Sequence, residues 1–528
     1  MRIPTSMGTQ HPDSAGKYIS IQEEAAEATA ALTPAPEGLG LEEFMIDFEG
    51  KMTPYHQTAE IAHSLLDKGL VPGRDVFLTP RISSATAETV FRQLMALMSI
   101  IEADYDIMRG HAGGSIEEVI LPMVKGADDL FVLRRRIADI IELGHKEFGM
   151  ERDPNSLQVI PLVEDIPNML GFAGFYRQYH RRCQEAGFTN RRLRFMMARS
   201  DSAMIYGLVG AVLAVKLMIS DGAALGEELG LVSAPILGGG ALPFRGHVTA
   251  SNLPALIKDF SGIKTVTIQS GLRYDHEPGA ATEAAAILKK ELPGSTARRL
   301  DAAESSFIKD ILVRFAAEYM SDFSLVAGLA TKLADIVPQQ RDRLTSRGST
   351  AYARRAPDPT ELGRFSDDPD LAAKLKAITM PGDTDIPRAI TFTAALYTVG
   401  LPPEFIGIGR GLKATAEAHG KEGIDRLLEF YPGLARDLDF AGRFLSFKVA
   451  ARFFSPAFID ALRRDLAAME TLLNMTILDR QDQAYETLLE IIEPLVRQTL
   501  RGESLGDEDK ALLRSCTVRL GKMRGSLG

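Results

Sequence analysis

Two apolar runs of strand length in this sequence each end close to a carboxylate. The run Gln158–Val163 is followed directly by Glu164, and the run Leu193–Ala198 is followed by the tripeptide RSD, which ends at Asp201. In a barrel of parallel strands, catalytic acids and metal ligands lie just past the C-terminal ends of the strands. Two carboxylates on consecutive strands can bind one hard divalent cation, because Mg²⁺ and Mn²⁺ prefer oxygen ligands. The pair therefore predicts a metal-dependent enzyme.

Both carboxylates also have a purely structural interpretation. Acidic residues after a strand can cap the helix that follows, and the SDSA sequence around Asp201 suits such a cap. Glu164 stands at the corresponding point after its own run. Either residue alone is compatible with capping, whereas the two together favour a metal site.

A glycine-rich segment, LGGGALPFRGH, covers residues 237–247. Gly239 and Gly240 would let the backbone approach an anion and expose its N–H groups, and Arg245 would add a two-point contact with phosphate or carboxylate. The segment is not a Walker A loop, since no GK[ST] follows, and it is not a GxGxxG motif. The alternative is a tight connection that binds no ligand.

A histidine beside a proline stands near the start of the chain, in the segment TQHPDS. Pro12 restricts the residue before it to extended backbone, which would hold the imidazole of His11 in one direction. The alternative is a solvated histidine without a role.

Several arginines stand next to glycine or at the ends of predicted elements, where contact with an anion is favoured. They are Arg81, Arg273, Arg388, Arg410 and Arg524. Most arginines on protein surfaces are solvated or ion-paired, and that is the alternative for each of these.

The elements that must position these groups alternate between two kinds. The predicted strands are residues 2–8, 44–48, 76–80, 118–123, 158–163, 193–198, 232–237 and 264–269. The segments of helical periodicity between them include residues 21–32, 56–68, 87–102, 127–148 and 174–186. This alternation predicts parallel βα units, and eight units match a (β/α)₈ TIM-type barrel of about 250 residues. A doubly wound open sheet is the alternative.

A barrel would bring the residues at the ends of its strands, most of which are polar, together at one mouth. In chain order they are His11, Asp47, Glu49, Arg81, Pro122, Met123, Glu164, Asp201, Gly238, Gly239, Gly240, Gln269 and Arg273.

After about residue 290 the strand signal ends, and the remaining chain is predicted to be α-helical. Residues 299–336 and 440–499 have the pattern of long helices, and residues 345–368 are rich in loop formers. We therefore predict a catalytic barrel over residues 1–290. Residues 291–528 would form a helical region that packs on the barrel and contributes to the active-site mouth.

Composition excludes several classes of partner and environment. The 528 residues carry a net charge of −10 without a long basic run, which argues against nucleic acid or anionic membrane as the main partner. A local arginine cluster still permits a small anionic substrate. Cys183 and Cys516 are the two cysteines, so a disulfide framework or zinc-thiolate site is not expected, and a reducing cytoplasm fits.

Neither a signal peptide nor a membrane span is expected. The N-terminus lacks an apolar h-region. The most apolar stretch, residues 205–219, is interrupted by Lys216 and is too short to cross a bilayer, so it predicts a buried helix.

Together these motifs resemble phosphoenolpyruvate carboxylase, in its short archaeal-type branch, from the TQHPD start to the MRGSLG end. TQHPDS is similar to the TAHPTE motif of the longer bacterial and plant enzymes of this family, which places His11 on their catalytic histidine. VIPLVED and ARSDSA are similar to the segments that supply their metal ligands, which fall on Glu164 and Asp201. Met204 stands where their SDSxKD motif has lysine. TPRISSA resembles the IRQDST segment, so Arg81 takes the place of a substrate-binding arginine.

The arginine motifs of the family match in part. GGGALPFRGH resembles the GRGGxxGRGG loop, with Arg245 in place of its second arginine and Gly238 in place of its first. IPRAITFTAALYTVGLPPEFIG resembles LRAIPWxFxWTQxRxxLPxWLG, which places Arg388 on its first arginine. The second has no clear counterpart, and Arg410 is the candidate for it. The terminal MRGSLG resembles the RNTG ending and gives Arg524.

The resemblance implies a carbon–carbon lyase that converts phosphoenolpyruvate and bicarbonate to oxaloacetate and phosphate, through carboxyphosphate and pyruvate enolate. Glu164 and Asp201 would bind Mg²⁺ or Mn²⁺, His11 would be the general base, and Arg245 and Arg388 would be catalytic cations. The implied substrate-binding residues are Arg81, Gly239, Gly240, Arg273, Arg410 and Arg524. The family also implies a homotetramer.

Two hypotheses from other functional classes remain open at this point. A different barrel lyase or phosphotransferase acting on pyruvate enolate would also need a metal and carboxylates, and bicarbonate dependence would distinguish it. It does not account for the TQHPD, IPRAITF and MRGSLG segments. A catalytically inactive barrel kept as a binding subunit would be expected to lose His11, Glu164 or Asp201, and all three are present.

Overall fold

Eight parallel strands close into a barrel in chain order, each paired with the next and the last with the first. The structure is a computed structural model that describes residues 2–111, 114–343, 356–381, 386–477 and 481–528. The strands are β1 (Ser6–Thr9), β2 (Glu43–Asp47), β3 (Phe77–Arg81), β4 (Glu118–Leu121), β5 (Gln158–Val163), β6 (Leu193–Ala198), β7 (Ser233–Gly238) and β8 (Thr265–Ile268). The predicted (β/α)₈ barrel is thereby confirmed, and the open sheet is excluded.

The strands are apolar because both of their faces are covered. One face packs against the surrounding helices, and the other fills the barrel interior, as expected for parallel barrel strands. The interior side chains are Met7, Met45, Ile120, Ile160, Leu162, Met196, Ala198 and Ile236. The barrel interior is therefore packed with side chains and is not an open channel.

The helices of the barrel half follow the strands in order. They are α1 (Glu24–Leu32), α2 (Gln57–Asp67), α3 (Val90–Gly110), α4 (Ala127–Phe148), α5 (Ile166–Leu170), α6 (Phe172–Glu185), α7 (Arg199–Tyr206), α8 (Leu208–Leu229), α9 (Leu253–Asp259), α10 (Ser270–Tyr274) and α11 (Ala280–Glu291). Gly207, at φ +81°, separates α7 from α8. A Cβ atom there would lie 2.8 Å from the ring of Tyr319, so this break requires glycine.

Helix α8 is the one described helix that is long and apolar enough to cross a membrane. In the most apolar part of this helix, 78% is buried inside the protein, which is typical of a core helix. It packs against α7, α5 and the long helix that opens the second half of the chain, Ala302–Lys332. The expected buried helix is therefore present, but it extends to Leu229 and is longer than the apolar stretch that predicted it.

The second half of the described chain is helical. Its helices are α12 (Ala302–Lys332), α13 (Pro369–Ala377), α14 (Ala389–Thr398), α15 (Ile408–Phe430), α16 (Leu434–Gly442), α17 (Phe447–Ala450), α18 (Pro456–Leu472), α19 (Gln483–Leu500) and α20 (Asp507–Arg524). The division of the chain into domains at residue 290 stays a prediction. Of the expected loop at residues 345–368, residues 345–355 lie outside the described residues, and the rest contains the 3₁₀ turn Pro359–Phe365.

Residues 440–499, predicted to be long helices, are helical but are divided by breaks that the sequence pattern did not indicate. This stretch holds the end of α16 and the three helices that follow it. Pro456 begins α18 and disfavours helical backbone at Ser455, whose hydroxyl oxygen instead accepts the N–H of Phe458 as an N-cap, at 3.3 Å. The apolar periodicity continues across the break because each helix packs on the same core.

A buried ion-pair network crosses the N-terminal end of the barrel, opposite the mouth. Arg194, from the start of β6, donates to Glu43 of β2 at 2.9 Å and to Glu118 of β4 at 2.5 Å. It also donates to the hydroxyl of Thr265 at 3.1 Å. Burial by itself would lower the pKa of Arg194 and raise that of Glu118, but their mutual attraction outweighs this effect in both groups. The network joins four strands where no substrate enters.

Candidate active site

A cleft opens at the C-terminal mouth of the barrel. Its polar lining residues are His11, Glu49, Arg81, Glu164, Ser200, Asp201, Arg245, Gln269, Gln339, Gln340, Arg341, Arg343, Arg388 and Thr391. Five of these are arginines, although the chain as a whole is acidic. The cleft is therefore suited to a substrate with several negative charges.

Glu164 and Asp201 both line this cleft from neighbouring strands. Glu164 comes directly after β5, and Asp201 lies in the first turn of α7, which follows β6. The register between these strands sets Val163 beside Met197, so the carboxylates leave adjacent strand ends. The sequence-based prediction that they share one site is compatible with this arrangement.

The capping alternative does not describe either carboxylate. The N-cap of α5 is Asp165, whose side chain accepts the N–H of Asn168 at 2.9 Å. The N-cap of α7 is Ala198, so Asp201 lies two residues further into the helix than the first helical position. Neither Glu164 nor Asp201 is needed to begin its helix.

The donor set at this point fits a small hard cation. Within the described ranges, no group of three or more His, Cys, Asp or Glu residues has the spacing of a metal site. Mg²⁺ is often bound by only one or two carboxylates, with water and substrate oxygens completing its shell. Glu164 and Asp201 at the wall of an open cleft match that pattern, whereas a closed structural metal site is not expected here.

His11 follows β1 and lines the cleft. Its Nδ1 lies 2.9 Å from the hydroxyl oxygen of Thr9. Burial lowers the pKa of His11 well below its usual value, and the charges of Arg81 and Arg343 lower it further, against an opposing effect of Asp47. The imidazole is therefore neutral at neutral pH, which is the form that accepts a proton.

An ion-pair cluster forms the wall beside His11. Arg81 donates from Nε and Nη2 to the two carboxylate oxygens of Asp47, at 2.9 and 2.8 Å, and its Nη1 lies 3.0 Å from Glu49. Arg343 donates to Asp47 from the other side at 2.8 Å. Burial alone would raise the pKa of Asp47, but the two guanidinium charges outweigh it and hold the pKa well below its usual range.

Arg343 is a cleft residue that sequence reasoning missed. It also donates to the backbone oxygen of Gln10 at 3.1 Å, while its Nε is buried without a partner among the described residues. Burial lowers the pKa of Arg343 to about 10, and the nearby Arg388 and Arg81 add to this effect. The segment QQRDR around it has no glycine turn or strand end, so the only signal was a pair of arginines after a long helix.

Arg245 also lines the cleft, from the 3₁₀ turn Pro243–Arg245. Its guanidinium donates to Asp13 at 3.1 Å, to Gln269 at 2.6 Å and to Ser200 at 3.1 Å. It also contacts the backbone oxygen of Gly528, at the C-terminus of the chain. Burial lowers the pKa of Arg245, with Asp13 opposing the shift.

The two predicted anion-binding glycines stand behind Arg245 and do not line the cleft. The N–H of Gly239 donates to Thr267 at 2.9 Å, and the N–H of Gly240 donates to the backbone oxygen of Arg245 at 2.8 Å. A Cβ atom on Gly240 would lie 2.9 Å from the Arg245 guanidinium carbon. This geometry gives the glycines a packing role beneath the arginine in place of direct contact with an anion.

The other predicted arginines divide between the cleft and its surroundings. Arg388, the N-cap residue of α14, lines the cleft and donates to the backbone oxygen of Gly50 at 3.2 Å. The remaining three do not line it. Arg273 donates to the backbone of Thr9, Arg410 pairs with Asp322 and Asp465, and Arg524 donates to Tyr485 and to the backbone of Leu527.

This fold and mouth define a (β/α)₈-barrel enzyme with a carboxylate pair and an arginine-rich cleft for an anionic substrate. A family model described as phosphoenolpyruvate carboxylase matches residues 3–528 of the chain. The chain therefore belongs to the archaeal-type phosphoenolpyruvate carboxylase family, whose enzymes are carbon–carbon lyases that generally use a divalent metal.

Curated relatives match over the full length. The phosphoenolpyruvate carboxylase of Methanosarcina barkeri is 36% identical over 100% of this chain and 99% of its own length. That of Methanosarcina acetivorans is 37% identical over 99% of both chains. That of Methanopyrus kandleri is 34% identical over 100% of this chain and 99% of its own.

Proposed function

We propose that phosphoenolpyruvate is carboxylated by bicarbonate in the cleft at the barrel mouth, and that Glu164 and Asp201 bind the Mg²⁺ or Mn²⁺ ion this requires. The observation that carries the proposal is that both carboxylates, a neutral histidine and five arginines line one cleft. The bound ion supplies Lewis-acid stabilisation of negative charge on substrate oxygens.

The arginines neutralise the charge of the substrates. Phosphoenolpyruvate carries a phosphate and a carboxylate, and bicarbonate adds another negative charge. Arg81 and Arg343 share Asp47 as their partner, whereas Arg245 is held separately by Asp13 and Gln269, so the cleft offers two separately anchored sets of cations for two anionic groups. The ion pairs and hydrogen bonds that already hold Arg81 and Arg245 fix these guanidinium groups before substrate arrives.

His11 acts as the general base. A bicarbonate oxygen attacks phosphorus, the phosphorus–enol oxygen bond breaks, and carboxyphosphate and the enolate of pyruvate result. His11 takes the remaining proton of carboxyphosphate, which then divides into CO₂ and phosphate, and His11 returns the proton to the phosphate. The enolate carbon attacks CO₂ to give oxaloacetate. Because Nδ1 lies against Thr9, we assign the proton to Nε2.

Apolar groups in the cleft keep water from the enolate. Leu162, Met196 and Ala198 form part of the lining, and Ile390 and Leu527 join them from the helical region. An enolate that meets water is protonated and leaves as pyruvate, so a dry wall favours carboxylation.

Arg273, Arg410 and Arg524 act outside the reacting groups in this proposal. Arg273 and Arg524 hold backbone segments that border the cleft, at Thr9 and Leu527. Arg410 joins α15 to α18 and α12 through its two carboxylate partners.

Isotope transfer tests the chemical course. In bicarbonate labelled with ¹⁸O, attack on phosphorus moves one labelled oxygen into the phosphate product. We expect one ¹⁸O atom per phosphate formed. Phosphate without label, or phosphate release that needs no bicarbonate, would instead favour a phosphotransferase or hydrolase.

We also propose that the chain works as a homotetramer in the cytoplasm, as the family resemblance implies. Cys183 and Cys516 are both buried free thiols, which is compatible with a reducing compartment. Light scattering on the purified protein tests the assembly, since a mass of one or two chains of 57.6 kDa would contradict a tetramer.

A further inference from the structure

One buried carboxyl group has no part in the chemistry proposed above. Glu404 lies in the 3₁₀ turn Pro403–Phe405, is fully buried and does not line the cleft. No ion pair joins it to any cation of the described chain, and its Oε2 has no hydrogen-bond partner there. Burying a carboxyl group without a cation costs folding free energy, which indicates that Glu404 has a role that offsets this cost.

Its other oxygen holds the turn that carries Arg245. Oε1 of Glu404 accepts the backbone N–H of Phe244 at 3.1 Å. Phe244 precedes Arg245 in the 3₁₀ turn Pro243–Arg245, and the N–H groups at the start of such a turn have no partner inside it. This contact therefore holds the backbone of the residue directly before Arg245.

The same oxygen is linked to the C-terminal segment. Tyr397 donates its hydroxyl to Glu404 at 2.8 Å. The guanidinium carbon of Arg524 lies 4.9 Å from the centre of the Tyr397 ring, and Arg524 donates to the backbone oxygen of Leu527. Leu527 lines the cleft. Glu404 thus contacts both Phe244, which precedes Arg245, and Tyr397, which contacts the C-terminal segment through Arg524.

We propose that Glu404 is a positioning residue that holds the Arg245 turn and the C-terminal segment together at the barrel mouth. The inference rests on the proposed function, because it concerns the placement of the same arginine. Glu404 touches no reacting group and acts through Phe244 and Tyr397.

Titration of Glu404 provides a signature of this role. Burial raises the pKa of Glu404 to about 7, and the charge of Asp437 adds to this effect. The other titratable groups that face it are Tyr397 from α14, Tyr319 from α12 and Tyr485 from α19, and the pKa of each is raised above its usual value. The ionised carboxylate accepts stronger hydrogen bonds than the neutral acid, so the turn is held more firmly above pH 7.

Three variants separate this role from ordinary packing. Glu404→Gln keeps an acceptor oxygen and removes the titration, whereas Glu404→Ala leaves the Phe244 N–H and the Tyr397 hydroxyl without their partner. Asp465→Asn is the matched control, because Asp465 is also a buried carboxyl with a raised pKa, but it pairs with Arg410 away from the cleft.

Hydrogen exchange on the full-length protein tests the positioning directly. We expect amide exchange in peptides containing the Pro243–Arg245 turn and the C-terminal segment to become about tenfold faster in Glu404→Ala, and to stay unchanged in Asp465→Asn. Unchanged exchange in Glu404→Ala would overturn the proposal. This readout does not depend on whether the chain carboxylates phosphoenolpyruvate.

Kinetics provide the second test. We expect kcat for oxaloacetate formation to fall about tenfold in Glu404→Ala, with a smaller change in KM. The ratio of wild-type kcat to that of Glu404→Gln should be near one at about pH 6, and should reach about threefold at about pH 8.5. A constant ratio across this range, or an equal loss of kcat in Asp465→Asn, would contradict a positioning role.

Discussion

Glu164 and Asp201 line one cleft from the ends of neighbouring barrel strands, and neither of them caps the helix that follows its strand. Asp201 lies in the first turn of α7, where the helix dipole favours a negative charge, and Glu164 directly follows β5. We propose that both carboxylates also bind a shared ligand, and each can be tested separately.

We predict that Asp201→Asn and Glu164→Gln each lower metal-dependent kcat by about 100-fold or more, because an amide is a poor ligand for Mg²⁺ and Mn²⁺. Binding of Mn²⁺, followed by its electron paramagnetic resonance signal, should weaken in parallel, while the circular dichroism spectrum stays unchanged. Glu185→Gln, an exposed carboxylate on α6, is the control and should bind Mn²⁺ like the wild type. Wild-type Mn²⁺ affinity in both cleft variants would contradict the assignment of Glu164 and Asp201 as metal ligands.

His11→Asn should separate the two halves of the reaction. Without the base, carboxyphosphate can form and then be lost by hydrolysis, so we expect little oxaloacetate but continued bicarbonate-dependent release of phosphate. Phosphate, pyruvate and oxaloacetate are measured in the same reaction. Oxaloacetate formation at the wild-type rate would show that another group takes the proton.

The pH dependence of catalysis should report the charges around His11. Because burial and the arginines lower the pKa of His11, its imidazole stays neutral below pH 6.5, and the acid limb of kcat/KM should lie below that value. Arg343→Gln removes one positive charge, so the pKa of His11 should rise and the acid limb should move to higher pH.

Arg343→Gln should also raise KM for phosphoenolpyruvate by about tenfold or more, since it removes a cleft cation, whereas Arg343→Lys should lose less. Arg410→Gln is the matched control, because Arg410 pairs with acids outside the cleft. Equal kinetic changes in Arg343→Gln and Arg410→Gln would show that Arg343 acts only through the fold.

The network at the other end of the barrel should affect stability and leave chemistry intact. Arg194→Met leaves Glu43 buried without its cation, while Glu118 keeps its ion pair with Arg192, and an unpaired buried carboxylate costs about 3–5 kcal/mol in cases of this kind. We expect a lower midpoint of urea unfolding and an unchanged kcat per folded enzyme. Arg177→Met, which removes an exposed pair with Glu228, should cost less than about 1 kcal/mol. An equal effect of the two variants would contradict the account of this network.

Much of the barrel could be predicted from sequence because its strands are buried on both faces. The bounds of β5 and β6 agree with the apolar runs at Gln158–Val163 and Leu193–Ala198, since a strand that is buried on both faces is mostly apolar. Arg194 in β6 is an exception, and its charge is paired with Glu43 and Glu118. The division of the helical half into separate helices was harder to predict. The breaks between residues 440 and 499 depend on local signals such as Ser455 before Pro456, which an apolar periodicity hides.

Residues of the candidate site could be predicted from the sequence where they stand at the ends of strands, and were harder to predict elsewhere. Glu164, Asp201 and Arg81 follow strands, so their meeting at the mouth follows from the fold. Arg343 reaches the mouth from the chain that follows α12, and no local pattern shows where such a segment returns. The position of Arg410 outside the cleft was equally hidden, because a glycine neighbour does not reveal which acids an arginine meets.

The most direct test of the whole account is oxaloacetate formation by the purified chain from phosphoenolpyruvate and bicarbonate, with and without Mg²⁺ or Mn²⁺. We predict turnover that needs all three components, that stops when the metal is chelated, and that returns when the metal is restored. Turnover that persists without metal or without bicarbonate would contradict the assignment of Glu164, Asp201 and the cleft around them.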